Sequence, residues 1–201
     1  EKKMRPRFFT RGIWYTFGLL VILVLGITAC GDSAKSGGSL KVGMLSDHVT
    51  FDPPLVLGMP DIYTAVHAYD VLVFRDPDMS LSPGLAESWE TNADASHWTF
   101  NLRKGVHFNS YENGQVVQGK EFTSEDVIFS INRIFEVESP IAGTLVKPEA
   151  MIAVDDYTIR MEFDGPNAPL LDALVKYAVQ MTPSNIDPDL FKTRTFGSGA
   201  F

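Results

Sequence analysis

A single cysteine, Cys30, is the only thiol in 201 residues. One cysteine excludes an internal disulfide and any metal cage built from several thiolates. Cationic side chains are also in short supply, with 17 Lys and Arg against 25 Asp and Glu. The deficit deepens beyond the start of the chain. Residues 1–29 hold five basic side chains (Lys2, Lys3, Arg5, Arg7, Arg11) and one acidic, so 12 basic and 24 acidic remain, a net charge of −12. So acidic a body argues against nucleic acid, whose binding is driven by cationic contacts to phosphate. The four histidines, His48, His67, His97 and His107, show no metal-ligand spacing, and none has a helical partner four residues on. Gly197-Ser198-Gly199 is glycine-rich, yet it has no Gly-Lys-Ser/Thr and is not a phosphate loop. It also lacks the flanks of a nucleophile elbow. Asp155-Asp156 reads as a solvated turn rather than an acid–base pair, because adjacent carboxylates in a hairpin point different ways. No catalytic residues, metal site or cofactor are expected.

What the chain does have begins with a basic stretch over residues 1–11 and an uncharged, almost wholly apolar run over residues 12–27. Ile27-Thr28-Ala29-Cys30 follows. A basic n-region, an apolar h-region and small residues before a cut describe a secretory signal. The competing reading is an uncleaved membrane anchor, for which about 20 apolar residues are needed. With cysteine at the cut, the stretch resembles a bacterial lipoprotein lipobox, with Ile27 in place of the more usual Leu. That resemblance implies residues 1–29 as a lipoprotein signal peptide and Cys30 as a lipidated N-terminus. Residues 30–39 then form a flexible tether, rich in Gly and Ser.

The body, residues 40–201, opens on an alternating strand at residues 40–45, broken by Asp52-Pro53-Pro54. Ile62, Ala65, Val66 and Tyr69 mark one helix face, with Asp61 as its N-cap. Residues 71–74 form a buried strand, and Asp76-Pro77-Asp78 a turn. Trp98, Phe100 and Leu102 alternate with Thr99, Asn101 and Arg103, which is a half-buried strand, and Trp89 shares its buried face. Thr123 opens a helix through a capping box completed by Asp126, with Val127, Ile128, Ile131, Ile134 and Phe135 as its apolar stripe. A hairpin pairs residues 151–154 with 157–163, putting Tyr157, Ile159, Met161 and Phe163 on one face. Asn167 caps a last helix with Pro169 in its first turn, and Leu170, Leu171, Leu174, Val175 and Ala178 on its buried face.

The order of these residues goes further than their period. Pro83, Leu85, Ala86 and Trp89 precede a polar gap. Trp98, Phe100, Leu102, Arg103, Val106 and Phe108 follow it, and then Phe122, Thr123, Asp126 and Val127. This series resembles the signature of the extracellular solute-binding proteins of family five, the dipeptide, oligopeptide and nickel receptors of ABC importers. One departure stands out. The family has Asp-Gly soon after the Phe/Trp, whereas this chain has Asn109-Ser110 and a longer insert over residues 111–120 carrying Asn113-Gly114.

The resemblance implies a mixed α/β fold, the N-terminal portion of a bilobed, periplasmic-binding-protein-like fold of type II. Lobe one would carry a small subdomain over about residues 61–182, and the C-terminal lobe would be missing. It implies a lipid-anchored, extracytoplasmic receptor that takes peptide or another small solute to ABC transporter permease subunits by cleft closure, without catalysis. Leu57, Gly58 and Met59 match the loop that, in peptide-binding members, lines the cleft and pairs with the ligand backbone like an added strand. An ordinary turn before a helix is the alternative there. Gly199 belongs to a stretch, residues 197–201, resembling the family's Gly-Thr-Gly-Pro-Phe/Tyr beside the cleft, with Ser198 and Ala200 as departures. The rival readings are a lipid-anchored extracytoplasmic hydrolase, which would need a convergent nucleophile and base, and a structural or adhesive surface lipoprotein without a small-molecule cleft.

Overall fold

The computed structural model describes residues 41–199. The apolar run, Cys30, the tether, Leu40, Ala200 and Phe201 lie outside the described residues. The chain divides into two compact units after Gly43, and the architecture below is that of the second.

Its elements run in the order α1 (Met59–Ala68), β1 (Val73–Arg75), β2 (Leu81–Pro83), β3 (Ala86–Thr91), β4 (His97–Leu102), β5 (His107–Glu112), β6 (Gln115–Glu121), α2 (Ser124–Glu136), β7 (Ala150–Asp155), β8 (Thr158–Glu162) and α3 (Leu170–Leu174). Short 3-10 turns occupy Pro53–Leu55, Ala142–Thr144 and Pro188–Lys192. The alternating sequence of β4 makes it a central strand. It pairs antiparallel with β3 on one side and β8 on the other, in the sheet order β3-β4-β8-β7. Register sets Trp89 opposite Phe100 and Phe100 opposite Ile159, while Trp98 faces Met161 and Met161 faces Met151. Residues directly opposite share a face, so the two tryptophans lie on the same side. Trp98 is buried and Trp89 packs partly buried against the same core. The Trp98 indole also donates to the Ala95 carbonyl at 3.2 Å.

Helix α2 closes that face with Val127, Ile131 and Ile134, flanked by Ile128 and Phe135. Its start follows the capping-box pattern. The Asp126 carboxylate accepts the Thr123 main-chain N–H at 2.9 Å, and its other oxygen takes Ser184 N–H at 2.8 Å and Lys120 Nζ at 2.7 Å. Asp155 ends β7 and Asp156 opens the turn to β8; both are exposed, Asp155 accepting from Tyr157 N–H and the Asp156 carbonyl from Ser124 N–H, each at 2.8 Å. The insert over residues 111–120 is a second hairpin, β5 with β6. Asn113 and Gly114 turn it with φ of 51° and 78°, the pair of left-handed residues that a two-residue hairpin needs.

Four expectations change. Residues 41–45 are exposed and form no strand, since alternation makes a strand only beside a partner and none pairs with them among the described residues. Helix α1 is capped by Gly58, not Asp61, because the Gly58 carbonyl accepts Ile62 N–H at 3.0 Å and Pro60 presets the first turn. Val66 then falls on the solvent side of α1. The strand read over residues 71–74 shrinks to Val73–Arg75 with Phe74 outward, Val71 and Leu72 being buried ahead of it. Finally, α3 is five residues capped by Pro169. Asn167 instead donates its N–H to the Ala95 carbonyl at 2.9 Å. The chain leaves the helix early to deliver Met181 N–H to the Asp70 carbonyl and the Gln180 amide to the carbonyls of Ala65 and Tyr69.

Candidate functional site

Helix α1 organises the candidate site from both ends. Ahead of it, Val56 is buried with Ala65, Ala68 and Tyr69 in a small core of their own. Burying Val56 turns the next side chain outward, so Leu57 is 66% exposed and Met59 57%. Gly58 between them is extended, with φ −91° and ψ 155°. Among the described residues, no main-chain group accepts from the N–H of Leu57 or Gly58. The loop therefore offers main-chain donors in an extended stretch, the arrangement that strand addition uses. Asp61, buried in the first turn, accepts Val49 N–H at 2.7 Å and so ties residues 44–50 to this end of the helix.

Gly58 is not required by its own surroundings. A Cβ there would meet Asp61 Oδ2 and Pro60 Cδ at 3.6 Å, ordinary contact, and its φ suits any residue. Gly197 and Gly199 differ sharply. A Cβ on Gly197 would lie 1.7 Å from the Ala68 carbonyl oxygen, and one on Gly199 2.5 Å from that of His67. Only glycine lets this segment run against the last turn of α1. There the Gly199 N–H donates to the Ala68 carbonyl at 2.9 Å, satisfying one of the carbonyls that a helix end leaves open. Phe196 N–H donates to Tyr69 Oη at 3.2 Å, and burial pushes the Tyr69 hydroxyl above the ordinary tyrosine range.

The structure thus groups Leu57, Gly58 and Met59 at the start of α1 and puts Gly199 at its other end, about 15 Å away for ten residues of helix. Cys30 lies outside the described residues. Sequence reasoning missed the partners that fix the Gly197–Gly199 stretch, namely Asn109, Asp70 and Tyr69. They stand about 90 to 130 residues away along the chain, and no local pattern marks them. Among the described residues, no group of three or more His, Cys, Asp or Glu side chains could hold a metal ion. Nor is any described helix long and apolar enough to cross a membrane.

The family model described as "Bacterial extracellular solute-binding proteins, family 5 Middle" matches residues 80–201. This chain belongs to that family. The matched stretch starts just before β2 and takes in the four-stranded sheet, α2 and the Gly197–Gly199 segment. Two curated relatives of this family 5 chain are the heme-binding protein A of Haemophilus influenzae and the dipeptide-binding protein of Escherichia coli. The first is 30% identical over 175 residues, covering 75% of this chain and 31% of the relative. The second is 27% identical over 172 residues, covering 71% and 32%. Among solved structures, the ABC transporter-associated periplasmic binding protein DppA of Helicobacter pylori, in complex with the peptide STSA, superposes with a TM-score of 0.61 at 30% identity. That match covers 76% of this chain and 34% of DppA. The fold is accordingly the mixed α/β N-terminal portion of a type II periplasmic binding protein. This family 5 chain spans about a third of the length of the curated relatives it matches.

Proposed function

We propose that this chain is the N-terminal part of a lipid-anchored, extracytoplasmic receptor that binds peptide, or a related small solute, and delivers it to the permease of an ABC importer. It binds by closure of two lobes and carries out no catalysis. In this reading Cys30 bears the lipid, residues 31–39 hold the body off the membrane, and about residues 61–182 make a small subdomain of lobe one. Leu57, Gly58 and Met59 offer the strand-addition loop, and Gly199 borders the same cleft.

The observation that carries the reading is the loop before α1, held in extended form by buried Val56 at one end and the helix cap at the other, inside a chain of family 5. Its exposed donors recognise a peptide main chain without reading side chains, which suits a receptor for many sequences. The fold itself makes Gly58 a clean probe, because a side chain there meets nothing closer than 3.6 Å. In the full-length gene product, Gly58→Val should weaken binding of a mixed dipeptide and tripeptide pool by tenfold or more in calorimetry, by obstructing backbone approach. Its melting temperature should fall only by the small amount expected of a poorer N-cap. Unchanged affinity in Gly58→Val would remove the loop from the site. For the anchor, mass spectrometry of membrane-extracted protein should find a diacylglyceryl mass on Cys30. Cys30→Ser should accumulate as unprocessed precursor.

A further inference from the structure

We infer that Asn109, on β5, is the positioning residue for Gly199. Its main-chain N–H donates to the Gly197 carbonyl at 2.8 Å, and its carboxamide Nδ2 donates to the Gly199 carbonyl at 3.3 Å. One residue therefore fixes two carbonyls of a three-residue segment. The opposite side of that segment is held by α1 and the residues just after it, through Gly199 N–H on the Ala68 carbonyl and Ser198 Oγ on Asp70 Oδ2 at 2.8 Å. The two glycines explain why a latch is needed. They let the chain approach the end of α1 closely, and glycine is the residue that loses most conformational freedom when it is ordered. Without the carboxamide, the Gly199 carbonyl loses its donor from β5 and the segment is held from one side only. If Gly199 borders the ligand, as the receptor reading has it, Asn109 sets where the cleft wall runs without touching the ligand itself.

The chemistry of the latch is specific to a donor. In Asn109→Asp the ionised carboxylate cannot donate and repels the Gly199 carbonyl, whereas the protonated carboxyl restores an O–H donor at the same place. In Asn109→Leu no side-chain donor exists at any pH. On the elements that hold the segment, the titratable or charged groups are His107, Tyr111 and Glu112 on β5, Lys120 and Glu121 on its partner β6, His67 in the last turn of α1, Tyr69 and Asp70 just after it, and Arg194 over the Tyr111 ring. All of them are common to the three proteins, so the wild-type profile subtracts them.

The test is amide hydrogen exchange at Gly199 in the full-length protein without ligand, expressed as a protection factor from pH 7.5 down to 4. Asn109→Asp should lose about tenfold protection at pH 7.5, the worth of one part-buried hydrogen bond left unmade, and regain it toward pH 4. Asn109→Leu should show the loss throughout. Protection equal to wild type in Asn109→Asp at pH 7.5, or an equal loss at both ends of the range, overturns the latch. Affinity for the dipeptide and tripeptide pool, normalised to wild type at each pH, should follow the same profile. Protection that falls while affinity holds overturns the positioning role. Failure of the receptor reading is separate, because it shows as no peptide binding by the wild type, whatever Gly199 exchange does.

Discussion

Asp52 and Arg133 form a buried pair, with both terminal guanidinium nitrogens donating to the carboxylate at 2.7 Å. The Arg133 plane also lies over the Phe191 ring at 5.1 Å. The residues are 81 positions apart, and nothing near Asp52-Pro53-Pro54 in the sequence hints at more than a chain break. Removing one partner strands the other as a buried charge, so Asp52→Ala or Arg133→Met alone should each cost about 3–5 kcal/mol in urea unfolding. Combining the two should cost less than the sum of the singles. Trp98 was legible from alternation alone, and its burial makes Trp98→Ala a loss of about 3–5 kcal/mol in the full-length protein. A small stability change with lost ligand affinity would instead make Trp98 a stacking platform. Glu121 adds a pH dependence. Gly105 N–H, at 2.8 Å, and then the Tyr157 hydroxyl, at 3.0 Å, hold its carboxyl below the ordinary glutamate range. A lowered folded-state pKa gives stability that is present above the unfolded value and lost as pH falls through the folded one. Glu121→Gln should therefore flatten the acid limb of the stability profile, just below the ordinary glutamate range, and leave its neutral slope unchanged.

At the scale of elements, legibility tracks how local the cause is. The α2 start could be read because its cap and first turn are four consecutive residues, Thr123 to Asp126, and its stripe repeats at helical spacing. What could not be read is that Asp126 also gathers Ser184 and Lys120. Asp126→Ala should cost about 3 kcal/mol, more than an ordinary cap, since bonds to a charged, buried acceptor are lost with it. Chemical denaturation of Asp126→Ala beside Thr123→Ala checks this, and equal losses would reduce Asp126 to a simple cap. The failures share a different cause. Asn167 and Asp61 both look like helix caps by composition, yet one is drawn to the β3–β4 turn and the other to Val49. Distant partners outbid the local motif in each case. The Gly197–Gly199 segment is the same lesson at the candidate site. Its glycines were visible, but the helix end they accommodate lies about 130 residues earlier.

The whole molecule brings charge and exposed apolar surface together. Beyond residue 29 the net charge of −12 favours solubility, while Leu45, Val49, Leu57, Met59 and Tyr63 are each more than half exposed. On the proposed reading, much of this surface faces a cleft or the remaining two-thirds of a family 5 protein. A receptor of that kind closes on its ligand from both lobes. A single portion still bears the association entropy of roughly 4–15 kcal/mol while making only part of the contacts. Residues 31–201 made alone should therefore self-associate in sedimentation, because exposed apolar side chains seek cover. They should retain a cooperative melt from the sheet and α2, and show no heat with the peptide pool at millimolar concentration. The full-length gene product should bind a solute at micromolar affinity or better. Tight, saturable binding by the isolated portion would mean that the loop before α1 and the rest of this chain suffice. The two-lobed account of its function would then give way to a single-domain one.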